Sequence, residues 1–163
     1  MVKENPLLAD WNTPYKIAPF DEILDDHFSE AVERAMEYEL QEIQEISENS
    51  DPPTFENTIH ALLKSGNLLE RVLSVFYTLV SADSNTQREK LMTEFSPKLS
   101  SHSSKITSNE KLFNRIQELF EQIDSLNLLP EEQRLLEKIH QDYVRAGAAL
   151  NNQSKERLKD IKK

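Results

Sequence analysis

The sequence has no cysteine and only two glycines, Gly66 and Gly147, among its 163 residues. Without cysteine, the chain can form neither disulfide bonds nor thiolate metal sites, and it has no thiol nucleophile. So few glycines argue against the many tight turns of an all-β or dinucleotide-binding fold. The apolar runs are too short for a membrane-spanning helix. These absences leave a water-soluble helical domain as the expected class.

Basic residues are also scarce relative to acidic ones, with 19 Lys and Arg against 29 Asp and Glu and a formal net charge of −10. Such a charge repels nucleic acid and anionic membranes unless a local basic patch overrides it, so neither is expected as a partner. Residues 21–51 concentrate the acid, with twelve Asp or Glu and one Arg. This run indicates a solvated helix face, and the alternative is a charged wall within a larger assembly.

Residues 1–24 predict an extended N-terminal arm, because three prolines interrupt any helix there and the aromatic residues between them can anchor it. The prolines are Pro6, Pro14 and Pro19, and the aromatic residues are Trp11, Tyr15 and Phe20. No continuous apolar core of a secretory signal is present in this arm. If Met1 is the natural start, the protein is expected in the cytoplasm. A periplasmic protein whose signal had been removed would look the same.

Residues 25–163 predict an all-α bundle of about five to six helices, because apolar residues recur there at spacings of three and four. The stretch PPTFENT marks one helix start, with the prolines ending the helix before it and Thr54 as N-cap. This helix is expected to run from Phe55 to about Val80. Its second half, residues 68–80, is apolar on almost every side and therefore predicts the buried centre of the domain.

Several local signals place the remaining helix boundaries. Gly66 falls inside the long helix, either as a close packing point or as a hinge. Pro97 should kink or split the helix that contains it. The expected caps and starts are Ser84 or Asn85, Asn109, Pro130, and Asn151, Asn152 or Ser154. The expected buried stripes include Phe28, Val32, Ile43, Ile46, Leu91, Phe95, Leu99, His102, Ile106, Leu112, Phe113, Ile116, Leu119, Phe120, Ile123, Leu135, Leu136, Ile139, Tyr143 and Val144. The last helix reaches residue 163 without a cap, which suggests a fragment of a longer chain.

No residue pattern indicates an active site. None of the four histidines has a second histidine four residues away, so no helical zinc pair can form. Each histidine is expected on the surface or in helix packing, and the glutamate pairs along residues 30–48 fit solubility alone. No Gly-rich phosphate loop or G-x-S-x-G turn occurs. The four histidines considered are His27, His60, His102 and His140. We therefore predict no catalytic, cofactor-binding or metal-binding residue in this chain.

An ordered set of motifs nevertheless resembles one enzyme family. The chain is similar to the N-terminal helical domain of the thimet oligopeptidase and neurolysin family of zinc peptidases, most closely to its bacterial peptidyl-dipeptidase (dipeptidyl carboxypeptidase) branch. The similarity covers essentially all 163 residues in order, and oligopeptidase A-like endopeptidases are related. The motifs are NPLL at 5–8, FDEI at 20–23, FENTIHALLKSGNLLERVLSVFYTL at 55–79, LFNRI at 112–116 and IHQDYVRAGAAL at 139–150.

The resemblance implies a much larger, almost wholly helical enzyme whose two halves enclose a channel for short peptides. In that family a zinc ion on an HExxH helix activates a water molecule, and the peptidyl-dipeptidase branch releases C-terminal dipeptides. This chain has no HExxH, so no catalytic residue or zinc ligand carries over. The expected role is one channel wall, inactive alone, with the C-terminal catalytic portion of the same chain as its partner. The competing hypothesis is a stand-alone helical interaction module.

Overall fold

The computed structural model describes residues 5–150 together with residues 153, 154 and 157. All the regular secondary structure of these residues is helical, which confirms the predicted all-α class. Within the same residues no helix is long and apolar enough to cross a membrane. The α-helices are α1 (His27–Glu48), α2 (Ala61–Lys64), α3 (Asn67–Ala82), α4 (Thr86–Thr107), α5 (Glu110–Glu121) and α6 (Pro130–Ala146). Most of the predicted last helix, after residue 150, lies outside the described residues.

The chain forms two compact units, each with its own apolar core. The first unit comprises the residues up to Glu42 and the segment Ser65–Ser100, and the second comprises Ile43–Lys64 and the residues from Ser101 onward. Helices α1 and α4 therefore contribute residues to both units. The buried apolar side chains fall into two clusters that match this division.

In the first unit, three phenylalanines from three helices form the centre of the core. Phe76 of α3 is fully buried and contacts Phe28 of α1 and Phe95 of α4 edge-on, with both ring centroids 5.1 Å away. Edge-to-face pairs at this distance add roughly 0.5–1.5 kcal/mol each beyond the burial of their area. The N-terminal parts of the predicted stripes of α1 and α4 therefore meet α3 in a shared core, whereas Ile43, Ile46 and Ile106 belong to the second cluster.

The N-terminal arm packs on this core, although not by all the predicted aromatic residues. Trp11 is half-buried against the core, and the Arg71 guanidinium lies 4.8 Å from its ring centre. Tyr15 is 95% exposed and Phe20 is 44% exposed, so the prediction that they anchor the arm is wrong. The backbone of Tyr15 is left-handed, with φ 58°, and its ring projects into solvent. The buried anchors are smaller apolar side chains: Leu7, Ala18 and Ile23.

The long helix predicted from Phe55 to Val80 is not continuous. Residues Phe55–His60 form a π-helical turn, α2 follows for one turn, and α3 then begins after Gly66. Gly66 has φ 73°, a left-handed conformation that an α-helix of L-residues cannot contain. The backbone reverses its handedness there, so Gly66 does not lie inside one continuous helix. The expected close packing against another helix is confirmed, because a Cβ atom at Gly66 would lie 2.5 Å from Oε1 of Glu39 in α1. The alternative of a hinge at Gly66 stays a prediction.

Helix α3 also has a polar face, contrary to the expectation that residues 68–80 are buried on nearly every side. Its four buried residues lie at sequence spacings of three, three and one and form one stripe along the helix. Several residues outside this stripe are exposed to solvent. Because exposed polar residues interrupt the apolar run, the helix packs as an ordinary amphipathic helix. The buried residues are Leu69, Val72, Val75 and Phe76, and the exposed ones are Glu70, Ser74, Tyr77 and Thr78.

In the second unit, the stretch PPTFENT is fixed by reciprocal hydrogen bonds. The Thr54 hydroxyl accepts from the Asn57 amide at 3.0 Å, and the Asn57 side-chain oxygen accepts from the Thr54 amide at 2.8 Å. This capping box confirms Thr54 as N-cap. Arg115 of α5, only 8% exposed, donates to the Asn57 side chain at 2.9 Å and to the backbone carbonyl of Asp51 at 3.0 Å. The buried guanidinium of Arg115 thus fixes residues 51–57, the segment that contains the two prolines.

The other predicted boundaries are largely confirmed. Asn85 and Asn109 accept hydrogen bonds from backbone amides three residues later, and Pro130 opens α6. Pro97 lies inside α4 without splitting it. Gly147 ends α6 with φ 99°. Val144 is 40% exposed, so its assignment to the buried stripe of α6 is wrong.

We predict that Phe76→Asp unfolds the first unit. The aspartate carboxylate would take the place of the Phe76 ring, which contacts Phe28 and Phe95. An unpaired buried charge costs several kcal/mol, whereas the total stability of a domain is about 5–15 kcal/mol. Met92→Asp is the matched control, because Met92 is 41% exposed on α4. Thermal unfolding followed by circular dichroism measures both. A cooperative transition of Phe76→Asp at the wild-type temperature would contradict the assigned core.

Candidate functional site

Two of the four histidines serve local helix structure. His27 begins α1, and its Nδ1 accepts a hydrogen bond from the Leu24 amide at 3.0 Å. His60, in the π-helical turn, contacts the Glu56 carboxylate one turn earlier and the Phe55 ring edge-on. The pKa of Glu56 is lowered mainly by its hydrogen bond with His60. Both histidines are therefore in helix packing or capping, as the sequence predicts.

The other two histidines lie on α4 and α6. His102 is buried on α4, 6% exposed. His140 of α6 stacks on Phe120 with 3.9 Å between ring centres and an interplanar angle of 2°. The ring centre of Phe113 lies 5.9 Å from that of His140, at an interplanar angle of 20°. Its Nε2 donates to the Gln117 side-chain oxygen at 2.7 Å. Burial lowers the pKa of His140, and the Glu121 carboxylate opposes that effect without overcoming it.

Within residues 5–150 and the three described residues beyond them, no three His, Asp or Glu side chains are grouped closely enough to hold a metal ion. Two glutamates of α1 instead pair with lysines of α4 and α5 at the surface. Glu33 contacts Lys98 at 2.7 Å, and Glu48 contacts Lys111 at 2.9 Å. The pKa of Glu48 is lowered by hydrogen bonds from Gln44 and Lys111. These pairs fit the interpretation of the acidic run as a solvated face.

The first unit contains an open groove of about 550 Å³ alongside α3. Leu69 and Leu73 line it with apolar surface, and the ring of Tyr77 continues this surface one turn further along the helix. Carboxylates of Glu39 from α1 and Glu70 from α3 also line it. Its volume lies within the range of small-ligand sites. The sequence analysis did not predict this groove, and the one local signal for it was a glycine within an apolar run.

Gly66 shapes one end of the groove. A Cβ atom at this position would lie 2.5 Å from Oε1 of Glu39, so the missing side chain leaves room for that carboxylate. The Gly66 amide donates to Oε2 of Glu42 at 2.9 Å. A carboxylate near the first amides of a helix is favoured by the helix dipole, so both glutamates complement the start of α3. The groove is therefore acidic at the end where α3 begins.

Comparison with known proteins supports the resemblance found in the motifs. A dipeptidyl carboxypeptidase of Escherichia coli (strain K12) is 38% identical over 159 residues, 98% of this chain. A protein of the same name from Salmonella typhimurium is 39% identical over 155 residues, 95% of the chain. Oligopeptidase A of E. coli is 24% identical over 157 residues, 96% of the chain. No protein-family model matches.

Over nearly its whole length the chain is similar to two dipeptidyl carboxypeptidases. It spans 23% of the length of the two relatives with that name and 22% of oligopeptidase A. Since the matched region covers nearly the whole chain, it includes the sequences of both structural units. The comparison thus confirms the family resemblance, while the activity of a longer protein is a separate question.

We predict that protonation of His140 destabilises the second unit. Because its pKa is lower in the folded state, the unfolded chain binds more protons between that pKa and the ordinary value of about 6.5. The contribution of His140 to the free energy of unfolding should therefore be fully present above about pH 6.5. It should decrease as the pH falls toward the pKa of His140 in the folded protein. His140→Phe, which keeps an aromatic ring against Phe120, should remove this contribution.

The measurement is urea unfolding of wild type and His140→Phe between pH 5 and 8, with a proton NMR titration of the His140 ring. The difference in unfolding free energy between the two proteins isolates His140 from the other titrating groups. A His140 titration midpoint above pH 6.5 would contradict the lowered pKa. So would a stability advantage of wild type over His140→Phe that grows as the pH falls.

Proposed function

We propose that this chain is the N-terminal helical part of a zinc metallopeptidase that removes C-terminal dipeptides from short peptides. In this proposal it forms one wall of the channel that admits the substrate and is inactive alone. The observation that carries the proposal is the 38% identity over 98% of the chain to a dipeptidyl carboxypeptidase of which it spans 23%. The remaining catalytic portion of the same polypeptide would be its partner.

The dipeptide-releasing activity is favoured over an endopeptidase activity by the same comparison. Identity to the two dipeptidyl carboxypeptidases is 38–39%, against 24% to oligopeptidase A over a similar length. The endopeptidase activity remains the second candidate because oligopeptidase A also matches 96% of the chain. Both candidates place the chain in a peptidase that acts on peptides.

Zinc would be held outside the residues described here. Those residues contain no grouped set of three His, Asp or Glu, and the histidines at 27, 60 and 140 are engaged with Leu24, Glu56 and Gln117. They do not fit a zinc site, so we assign no catalytic step to this chain. Its residues would support the channel, which limits substrate size and excludes water from the reaction. We propose the cytoplasm as the compartment, with the periplasm as the alternative.

A stand-alone interaction module is a further candidate, favoured by the exposed apolar side chains of the arm. Tyr15, Ile17, Phe20 and Leu24 are 95%, 55%, 44% and 62% exposed. Exposed apolar side chains mark contact surfaces when they are grouped. The same side chains are equally compatible with a contact inside a larger peptidase, so they do not outweigh the sequence identity.

The test compares an N-blocked tripeptide with its C-terminal amide, using the full-length protein and a chelator control. A dipeptide-releasing enzyme recognises the free carboxylate two residues from the bond that it cleaves. Leaving the recognising group unpaired costs roughly 2–5 kcal/mol, so the amide should react at least about tenfold more slowly. Equal cleavage of both peptides, or internal cleavage of longer peptides without dipeptide release, would assign the protein to the endopeptidases.

A further inference from the structure

The groove of the first unit combines an apolar surface with carboxylates and has no basic residue in its lining. Glu70, Leu73 and Tyr77 follow one another at spacings of three and four along α3, so their side chains share one face of the helix. Leu69 is 7% exposed and supplies the base, whereas Tyr77 is 43% exposed and forms an accessible rim. This arrangement offers an apolar contact beside negative charge.

Two side chains of this surface have unused binding capacity. Among the described residues, the Glu70 carboxylate has no ion-pair or hydrogen-bond partner, and the Tyr77 hydroxyl has no hydrogen-bond partner. The nearest basic residue in the sequence of α3, Arg71, is engaged elsewhere: it donates to the carbonyls of Leu7 and Ala9 and stacks on Trp11. Arg71 therefore does not neutralise the Glu70 carboxylate.

We propose that this groove binds a short peptide segment that carries a basic side chain next to an apolar one. The apolar side chain would lie on Leu69, Leu73 and Tyr77, and the basic side chain would face Glu70. Charge complementarity selects this occupant, because the groove is lined by two carboxylates and the whole chain has a net charge of −10. An acidic peptide or nucleic acid would be repelled by the same charges.

The inference rests on the proposed function only for the choice of a peptide as occupant. It adds a chemical class, basic and apolar, and a place of contact alongside α3. Binding to this chain and turnover by the full-length enzyme are separate measurements. If turnover occurs but the chain binds no basic peptide, this inference alone fails. If the basic peptide binds but the full-length protein releases no dipeptide, the proposed function alone fails.

The experiment is an NMR titration of the isotope-labelled chain with the peptide acetyl-Leu-Lys-Leu-Lys-amide at low salt. We expect amide shifts concentrated in residues 65–77. Glu70→Gln should weaken binding roughly two- to fivefold, as for one exposed ion pair. Tyr77→Ala should weaken it roughly two- to tenfold through loss of the aromatic contact. Both substituted residues are exposed, so the variants should keep the fold.

Glu37→Gln is the matched control, because Glu37 is exposed on α1 in the same unit and does not line the groove. It makes the same charge change and should leave the affinity unchanged within about twofold. The inference is overturned if acetyl-Leu-Glu-Leu-Glu-amide binds equally well or if the shifts map to the second unit. Equal losses from Glu37→Gln and Glu70→Gln, or no binding at millimolar peptide, would also overturn it.

Discussion

The left-handed backbone at Gly66 is the constraint on which the first unit depends. At φ 73° an L-residue with a side chain would cost roughly 1–2 kcal/mol, and its Cβ would meet the Glu39 carboxylate. The glycine ends the helical turns that begin after Thr54 and starts α3 afresh. Helix α3 in turn supplies Phe76 to the core and Leu69, Leu73 and Tyr77 to the groove. One backbone conformation thus places both the core ring and the candidate site.

The second unit depends on a different interaction, the buried guanidinium of Arg115. It donates to the carbonyls of Asn49 and Asp51 and to the side chains of Asn57 and Thr58. These acceptors lie on both sides of the two prolines that separate α1 from the next helical turns. Prolines supply no amide hydrogens, so this segment cannot satisfy its carbonyls with its own backbone. The guanidinium satisfies them from α5.

Local features of the fold could be predicted from the sequence, because their causes lie within a few residues. The caps at Thr54, Asn85 and Asn109 and the start at Pro130 are of this kind. The break at Gly66 was missed because a glycine inside a helix costs only about 1 kcal/mol, and the apolar pattern continues past it. The exposure of Tyr15 was missed because burial in an irregular arm depends on tertiary contacts that have no periodicity.

The groove could not be predicted for a similar reason. Glu39 and Glu70 belong to different helices, and only the packing of α1 against α3 brings both into the lining. Each carboxylate by itself is one of many in an acidic sequence. The family resemblance, by contrast, was visible because several motifs occur in order along the whole chain. Composition and periodicity alone could not have indicated this resemblance.

The most direct test of the central claim is to sequence the gene through and beyond codon 163 and to determine the mass of the native protein. Relatives of which this chain spans 23% are roughly four times as long. The account predicts a reading frame of about that length that encodes an HExxH motif after the region described here. A native protein that ends at residue 163, or a longer one without HExxH, would contradict the assignment to a zinc peptidase.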